Sequence, residues 1–223
     1  MKQAILGAIA VLATLSAAPA FADVSSTSYL NPPAYASDTT LIDFTNGIPS
    51  GFSLNGGSIR NDSTSTGWYQ GALMPTGGSG NYLAVGATSG TQAVLKATGS
   101  DSGWGSVSLL WGTIDWFNSL DVLDTLGNTI ATITGSAVTS RVTPTWTASD
   151  NNRYVTYTID PNSGRQIGGL RFNSLIDSFE IDNIAFSNPT SVPEPGTIAL
   201  FTLGVVTLLA LRGRRPKVQA LGL

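Results

Sequence analysis

The sequence predicts an all-β fold, a single domain built as a β-sandwich or jelly roll. Short runs rich in β-branched and aromatic residues recur between turn signals made of Gly, Asn, Pro and Ser. No long helical period interrupts these runs, and eight or more strands at short spacing are typical of sandwiches. The predicted strands are 40–44, 82–85, 92–97, 106–111, 119–123, 129–133, 153–159 and 179–186, with turns at 55–57, 77–80, 127–128 and 161–164.

The N-terminus has the pattern of a secretory signal peptide over residues 1–22. Lys2 supplies a positive charge, an alanine-rich apolar stretch follows, and residues 18–22 contain two small-x-small cleavage frames. We expect cleavage after Ala22, with cleavage after Ala20 as the alternative. A permanent N-terminal anchor is less favoured, because the apolar run is short.

The mature chain would begin at Asp23 with a loose leader over residues 23–38. Asn31-Pro32-Pro33 opposes regular structure there, because proline fixes its own φ and restricts the residue before it. The β-sandwich domain is then expected over residues 39–190, a length that suits one domain with its own core.

The charge and composition of the mature region exclude several classes of function. Residues 23–190 hold thirteen acidic and six basic side chains, a net charge of about −7. Nucleic acid and anionic membrane surfaces would repel such a domain, so we expect no nucleic-acid partner. The chain has no Cys and no His. It therefore cannot form a disulfide, a thiolate or imidazole metal site, or a catalytic Ser-His-Asp or Cys-His arrangement from its own residues.

The C-terminal region contains three consecutive features: a stiff extended motif at 192–195, an apolar segment at 197–211 and a basic cluster at 212–217. The motif residues are Val192, Pro193, Glu194 and Pro195. The membrane-stop residues are Arg212, Arg214 and Arg215. As a helix, residues 198–211 rise about 21 Å, short of the roughly 30 Å hydrocarbon core, so flanking residues must extend the span. The positive-inside rule keeps the arginines cytoplasmic. A buried C-terminal core helix is the alternative.

This order of parts resembles the PEP-CTERM sorting signal of exopolysaccharide-producing Gram-negative bacteria, over residues 191–217. The resemblance implies processing by exosortase, an inner-membrane cysteine enzyme, near the motif. It further implies an exported protein with an inner-membrane-anchored intermediate, contacting the membrane through the C-terminal helix. The protein would then be released or attached at the cell surface or in the extracellular matrix. One departure from the pattern is the extension that follows the basic cluster, 218–223.

The stretch that follows the fourth predicted strand contains Gly112, Asp115 and Asn118. Their spacing resembles a Gly-Ser-x-Asp-x-x-Asn motif of sandwich domains attached to such tails, with Thr113 where serine is usual. Short Asp and Asn side chains can cap backbone donors where the chain crosses tightly. We interpret these residues as a structural corner without a ligand.

The last predicted strand changes its alternation at Asp182-Asn183. Either both faces of this strand are buried, or a bulge resets the register there. The domain loosely resembles jelly-roll carbohydrate-binding modules, which often hold a structural calcium with acids from the first and last strands. On that resemblance Asp43 and Asp182 are candidate ligands, and hard oxygen donors suit Ca²⁺. The alternative is that Asp182 and Asn183 satisfy loop backbone groups. No other cofactor is expected.

Aromatic residues near Gly, Ser and Thr are typical of a surface on which sugars stack. The candidate contacts are Trp68, Tyr69 and Trp116. Tryptophan is also common in the cores of sandwich domains, so burial in the core is the alternative interpretation for each ring.

The sequence therefore leaves three functions to compare. We expect a non-enzymatic surface or extracellular-matrix protein, sorted by exosortase and linked to exopolysaccharide or biofilm. The alternative is a carbohydrate-binding module of jelly-roll type with a structural calcium. A glycoside hydrolase would need two carboxylates, and Glu180 beside Asp182 is the pair considered for it. Their neighbours are apolar, which disfavours a general-acid pocket.

Overall fold

The structure is a computed structural model that describes residues 23–28, 31–35, 37–61, 64–65, 71–99, 103–139 and 151–188. Its elements form one compact unit that ends at Asn188. The strands of this described part are β1 Asp23–Ser28, β2 Thr40–Ile42, β3 Phe52–Gly56, β4 Ser58–Arg60, β5 Thr64–Ser65, β6 Gly71–Ala72, β7 Tyr82–Val85, β8 Gln92–Ala97, β9 Ser106–Gly112, β10 Asn118–Asp124, β11 Thr129–Thr134, β12 Arg153–Thr158, β13 Ile167–Ser174 and β14 Phe179–Ser187. A one-turn helix, α1 Gly135–Val138, follows β11.

Two antiparallel sheets form a sandwich. The seven-stranded sheet has the order β1-β12-β9-β14-β7-β4, and β2 pairs with the C-terminal part of β14. The five-stranded sheet has the order β11-β10-β13-β8-β3. Sequence neighbours such as β13 and β14 lie in different sheets. The predicted all-β sandwich is confirmed.

The hydrophobic core lies between the two sheets and is centred on aromatic side chains. The ring of Trp111 on β9 stacks on Phe179 of β14 with centroids 4.4 Å apart, and Phe172 of β13 meets Phe179 edge-on at 5.6 Å. Each fully buried side chain of this size contributes about 1.5–3 kcal/mol relative to leaving it in water. This contact joins the central strands of both sheets.

All eight predicted runs lie on strands, with differences of one or two residues at their ends. The sequence did not predict β3, β4, β13 or the two-residue strands β5 and β6. The first residues of β13 include Gly168-Gly169, which do not suggest a strand, yet a Cβ at Gly169 would lie 2.5 Å from the Leu95 carbonyl oxygen of the neighbouring strand β8. The predicted turn at 55–57 falls on the β3–β4 junction, where Gly56 at the end of β3 and Gly57 after it have φ of +83° and +68°.

The prediction of a loose leader over 23–38 is wrong for its first six residues. Asp23–Ser28 forms β1 and pairs antiparallel with β12 over its full length, from Asp23 opposite Thr158 to Ser28 opposite Arg153. Serine and threonine are compatible with an edge strand, because only one side of β1 needs a partner. The proline segment that opposes regular structure follows β1 and carries no strand at 31–35.

Candidate functional site

The predicted sorting residues lie outside the described residues. This holds for the motif 192–195, the apolar segment 197–211 and the basic cluster 212–217, and also for the signal peptide 1–22. Trp68 and Tyr69 lie outside the described residues as well. Within the part of the chain that the structure describes, no helix is long and apolar enough to cross a membrane. The remaining candidates lie on or beside β14.

A bulge on β14 separates its two halves. The pairing of β14 with β9 shifts in register between Asp182 and Ala185, and Asn183 adopts a left-handed φ of +50°. Both faces of the strand are buried, because Ile181 and Ile184 face the core while Glu180 and Asp182 are 1% and 0% exposed. The sequence left a bulge and two buried faces as alternatives, and the structure contains both.

The outer face of β14 is covered by residues 72–80, here called the covering segment. Its backbone is held by two side chains of β14 and by Asn152, which directly precedes β12. The N–H of Leu73 donates to Glu180 Oε1 at 3.1 Å. The N–H of Thr76 donates to Asn152 Oδ1 at 2.9 Å, and the N–H of Ser79 donates to Asp182 Oδ2 at 3.2 Å. The two acids of β14 therefore act as backbone acceptors that fix this segment.

Glu180 is almost completely buried and accepts three hydrogen bonds. Besides Leu73, the hydroxyls of Ser178 and Thr113 donate to its Oε1 and Oε2. Burial raises the pKa of Glu180 from 4.5 to about 8, although these donors pull it down. Loss of hydration outweighs the hydrogen bonds, because a carboxylate charge inside the protein has little solvent to stabilise it. Near neutral pH this carboxyl is largely protonated and structural.

The three residues of the predicted corner lie together at the β9–β10 connection. Asn118 donates from Nδ2 to the Ser178 carbonyl oxygen at 3.2 Å and accepts at Oδ1 from the Ser174 hydroxyl at 2.7 Å. It thus joins β10 to the β13–β14 loop by binding a carbonyl and a hydroxyl, instead of capping a backbone donor. Gly112 lies under the covering segment, where a Cβ would stand 2.8 Å from Pro75 Cγ.

Asp115 differs from its neighbours in the corner. Its carbonyl oxygen accepts a hydrogen bond from the Asn118 N–H at 3.3 Å. A Cβ at Gly135 would come within 2.0 Å of the same oxygen, so a larger residue does not fit there. Its side chain is half-buried, and loss of hydration raises its pKa from 3.8 to about 7. The same carboxyl raises the pKa of Glu180 through charge repulsion. Asp115 therefore lies close enough to the buried Glu180 for the two carboxyls to interact.

Asp43 and Asp182, the calcium candidates, lie close enough to interact. Burial is the main cause that raises the pKa of Asp182 from 3.8 to about 7, and the charge of Asp43 adds to it. Asp43 Oδ1 also accepts from the Thr45 N–H at 3.0 Å. Ca²⁺ takes six to eight oxygen ligands. Among the described residues no group of three or more acidic, His or Cys side chains is placed to hold a metal. The calcium site stays a prediction.

Two tyrosines that the sequence did not single out join this region to the segment after β1. Tyr35 is hydrogen-bonded to Ser108 and Tyr154, and burial raises its pKa to about 12. The Tyr154 hydroxyl lies 3.3 Å from Asn183 Nδ2, which ties the bulge into the same network. No spacing in the sequence indicates these contacts, because they join residues 29 to 119 positions apart across one sheet.

Trp116 is exposed at the tip of the β9–β10 connection. Its side chain is 64% exposed and meets Phe117 edge-on at 5.5 Å. Leu175 in the β13–β14 loop is 77% exposed, and the Asn118–Ser174 pairing brings the two loops side by side. By contrast, Trp104 packs against both Phe52 and Phe186, with ring centroids 5.3 and 4.8 Å away. Of the tryptophans in the described part, Trp116 alone has the exposure that a stacking platform needs.

The comparisons with known proteins concern mainly the C-terminal region. No curated protein matches the chain. Among solved structures it is similar to the K2 cleaved adhesin domain of Lys-gingipain, with 13% identity over 74% of this chain and 99% of that chain and a TM-score of 0.32. Residues 191–215 match the family model of the PEP-CTERM protein-sorting motif. The motif implies an exported protein that exosortase processes through a membrane-anchored intermediate. The chain thus combines a β-sandwich with a PEP-CTERM sorting motif.

Proposed function

We propose that this protein is a non-enzymatic component of the cell surface or extracellular matrix of a Gram-negative bacterium, linked to its exopolysaccharide. The observation that carries the proposal is the order of parts: a folded sandwich ends at Asn188, and the sorting motif begins at residue 191. The signal that exosortase recognises therefore follows the folded domain directly in the sequence. The sandwich is the part of the protein that sorting places at the cell surface.

The use of the acidic side chains supports a non-enzymatic role. Glycoside hydrolysis needs one carboxyl as acid and a second as nucleophile or base, both reaching the sugar. Glu180 and Asp182 are buried, and their oxygens accept from the covering segment. Substrate could reach them only if this segment opened, which would break the bonds to Leu73 and Ser79.

Truncation tests the proposal. Deleting residues 192–223 should change where the protein accumulates, measured by fractionation of medium, surface and membranes in a host carrying exosortase. The matched control deletes only 218–223 and keeps the motif, the apolar segment and the basic cluster, so its distribution should match the full chain. An unchanged distribution after the longer deletion would refute sorting through this region.

The second candidate, a carbohydrate-binding module, is favoured by the exposure of Trp116. An indole on a rigid turn can stack on a sugar ring at small entropic cost, and the Asp115–Asn118 bond fixes this turn. The Trp116→Ala protein should lose retention on the organism's own polysaccharide, while the fold stays intact. Equal retention of both proteins would exclude Trp116 as a glycan contact and leave Trp68 and Tyr69 to be tested by the same substitution.

A further inference from the structure

The outer face of the five-stranded sheet is polar and open to solvent. Apolar side chains such as Leu95 and Phe172 enter the core, and their neighbours on each strand point away from it. The outward side chains on the three central strands are Gln92, Val94 and Lys96 of β8, Arg171 and Asn173 of β13, and Ser119 and Asp121 of β10. All of them are exposed or partly exposed. The outer face of the other sheet differs, because the covering segment lies over β14.

Four polar side chains form a row across four strands of this face, here called the polar row. It runs from Thr134 of β11 through Ser119 and Asn173 to Gln92 of β8, each residue opposite the next. Three strand spacings give the row a length of about 14 Å. Its side chains are two hydroxyls and two amides, so the row offers hydrogen-bond donors and acceptors without any charge.

Hydrogen bonds hold the amides of the polar row in place. Gln92 Nε2 donates to Asn173 Oδ1 at 2.9 Å. Asn173 Nδ2 in turn donates to Asp121 Oδ2 at 3.1 Å and to Ser119 Oγ at 3.4 Å. The exposed Gln92 uses one amide N–H in this network, and its second N–H and its carbonyl oxygen remain for a ligand, as does the hydroxyl hydrogen of Ser119. A ligand would therefore bind groups that are already ordered, at a smaller entropic cost.

The charges beside the polar row are compensated within the sheet. Asp121 Oδ1 accepts from the Thr132 hydroxyl at 2.6 Å, and Asp121 Oδ2 accepts from Arg171 at 3.4 Å. Both carboxylate oxygens are thus engaged, which disfavours a cationic ligand. Lys96, also on this face, lies four residues along β8 from Gln92, about 13 Å away. The net charge of about −7 of the mature region repels anionic chains. The polar row therefore suits a ligand that is polar and uncharged.

Exposed apolar side chains border the polar row on one side. Trp116 precedes Ser119 by three residues, and Leu175 follows Asn173 by two, so their Cα atoms lie within about 11 and 7 Å of the row. The two side chains are 64% and 77% exposed. An indole beside a row of hydroxyls and amides matches the surface of an uncharged sugar, which has an apolar ring face and a rim of hydroxyls.

We propose that the polar row and Trp116 form one binding strip for an uncharged polysaccharide chain. Trp116 stacks on one sugar ring, and Gln92 and Ser119 exchange hydrogen bonds with the hydroxyls of the neighbouring sugars. Asn173 is a positioning residue, because its amide holds both of those side chains. The inference rests on the carbohydrate-binding function proposed above. It adds where the chain lies on the sandwich and that the chain carries no charge.

Affinity electrophoresis of the full chain in a non-ionic detergent tests this site. The gels contain either the neutral or the acidic fraction of the organism's own polysaccharide, separated on an anion exchanger. We expect the neutral fraction to retard the protein equally in low and high salt, because the contacts involve no charge. Gln92→Ala should weaken this binding about three- to tenfold, the effect of one hydrogen bond. Gln166→Ala is the matched control, because Gln166 is exposed and precedes β13 at the end opposite Asn173.

The other outcomes would overturn the inference in distinguishable ways. If Trp116→Ala lost binding and Gln92→Ala bound like the wild type, Trp116 would be a separate contact and the polar row would have no part in it. Retardation by the acidic fraction alone, or in low salt alone, would contradict an uncharged ligand while carbohydrate binding stood. No retardation by either fraction would overturn both the strip and the carbohydrate-binding function.

Sedimentation velocity covers the case in which a second copy of the chain occupies the polar row. A dimer that becomes a monomer on Gln92→Ala would make the row a contact between copies and would overturn the glycan site. We expect the wild type and both glutamine variants to sediment alike. Circular dichroism checks that each substituted protein is folded, which is expected because all the substituted side chains are exposed.

Discussion

The hydroxyl of Thr113 donates a hydrogen bond to Oε2 of Glu180, a residue 67 positions further along the chain. The other carboxyl oxygen of Glu180 accepts from Ser178 and from the Leu73 N–H. One buried acid thus joins the β9–β10 connection, the covering segment and the β13–β14 loop. No cationic side chain contributes to the pKa shift of this acid. The free energy of unfolding of the sandwich should therefore depend on whether Glu180 is protonated.

We expect the sandwich to be more stable at pH 5 than at pH 8. Folded Glu180 keeps its proton up to about pH 8, whereas in the unfolded chain its pKa is 4.5. Unfolding in this window releases a proton, so the free energy of unfolding decreases as pH rises. Asp115 and Asp182, raised from 3.8 to about 7, act in the same direction. Since one pKa unit corresponds to about 1.4 kcal/mol, the melting temperature should fall by several degrees from pH 5 to pH 8 in calorimetry.

The Glu180→Gln protein separates the contribution of this residue from that of the two aspartates. The amide is neutral at every pH, so its melting temperature should change less between pH 5 and pH 8 than that of the wild type. Asp38→Asn serves as the control, because Asp38 is exposed and should leave the slope unchanged. An identical slope in the wild type and the Glu180→Gln protein would show that Glu180 is not protonated in the fold.

Removing the Glu180 carboxyl should lower the free energy of unfolding at any pH. Glu180→Ala leaves the Leu73 N–H and the Thr113 hydroxyl without this acceptor, and each unsatisfied buried group costs about 1–3 kcal/mol. We expect a loss of about 3 kcal/mol or more in urea unfolding, and faster hydrogen exchange at the Leu73 amide. Asp38→Ala should stay within about 0.5 kcal/mol of the wild type. A Glu180→Ala protein with wild-type stability would mean that the covering segment is not held by this residue.

The sequence predicts the fold well where one strand carries its own pattern. The run 92–97 alternates and became β8 with the same bounds. β1 and β13 were missed because their partners, and not their own residues, make them strands. β1 is polar and pairs with β12, and β13 begins with Gly168 and Gly169, of which Gly169 lies against the Leu95 carbonyl oxygen. Such pairings join residues as far apart as Gly169 and Lys96, or Asp23 and Thr158, and leave no local periodicity.

Only part of the candidate site could be predicted from the sequence, for the same reason. The change of alternation at Asp182-Asn183 indicated either a bulge or two buried faces, and the motif resemblance of Gly112, Asp115 and Asn118 indicated a corner. The partners of Glu180 could not be foreseen, because Leu73 contributes only a backbone N–H and any residue but proline supplies one. Ser178 likewise gives no signal, since its hydroxyl matters only where the fold directs it.

Two glycines with similar φ provide a matched test of the β3–β4 turn. Gly56 and Gly47 have φ of +83° and +79°, so alanine is strained at both by about 1–2 kcal/mol. At Gly56 a Cβ would also lie 2.2 Å from the Gln92 carbonyl oxygen, whereas at Gly47 nothing lies within 4 Å. We expect Gly56→Ala to be clearly more destabilising than Gly47→Ala in urea unfolding. Equal losses would mean that backbone strain alone accounts for the cost and that β8 can move away.

The pair of Asp43 and Asp182 allows a direct test for calcium. A cation bound only by the folded protein stabilises it by about 2.7 kcal/mol at one hundred times its dissociation constant, which raises the melting temperature by about 5–10 °C at this size. Binding needs the charged form of Asp182, whose pKa is about 7, so the calcium effect should be larger at pH 8 than at pH 6. Asp182→Asn should abolish it, while Asp121→Asn should not, because Asp121 lies on the other sheet and pairs with Arg171 at 3.4 Å. A melting temperature that is the same in calcium and in chelator at pH 8 would rule out the site, and would leave Asp182 as the acceptor of the Ser79 and Asn183 amides.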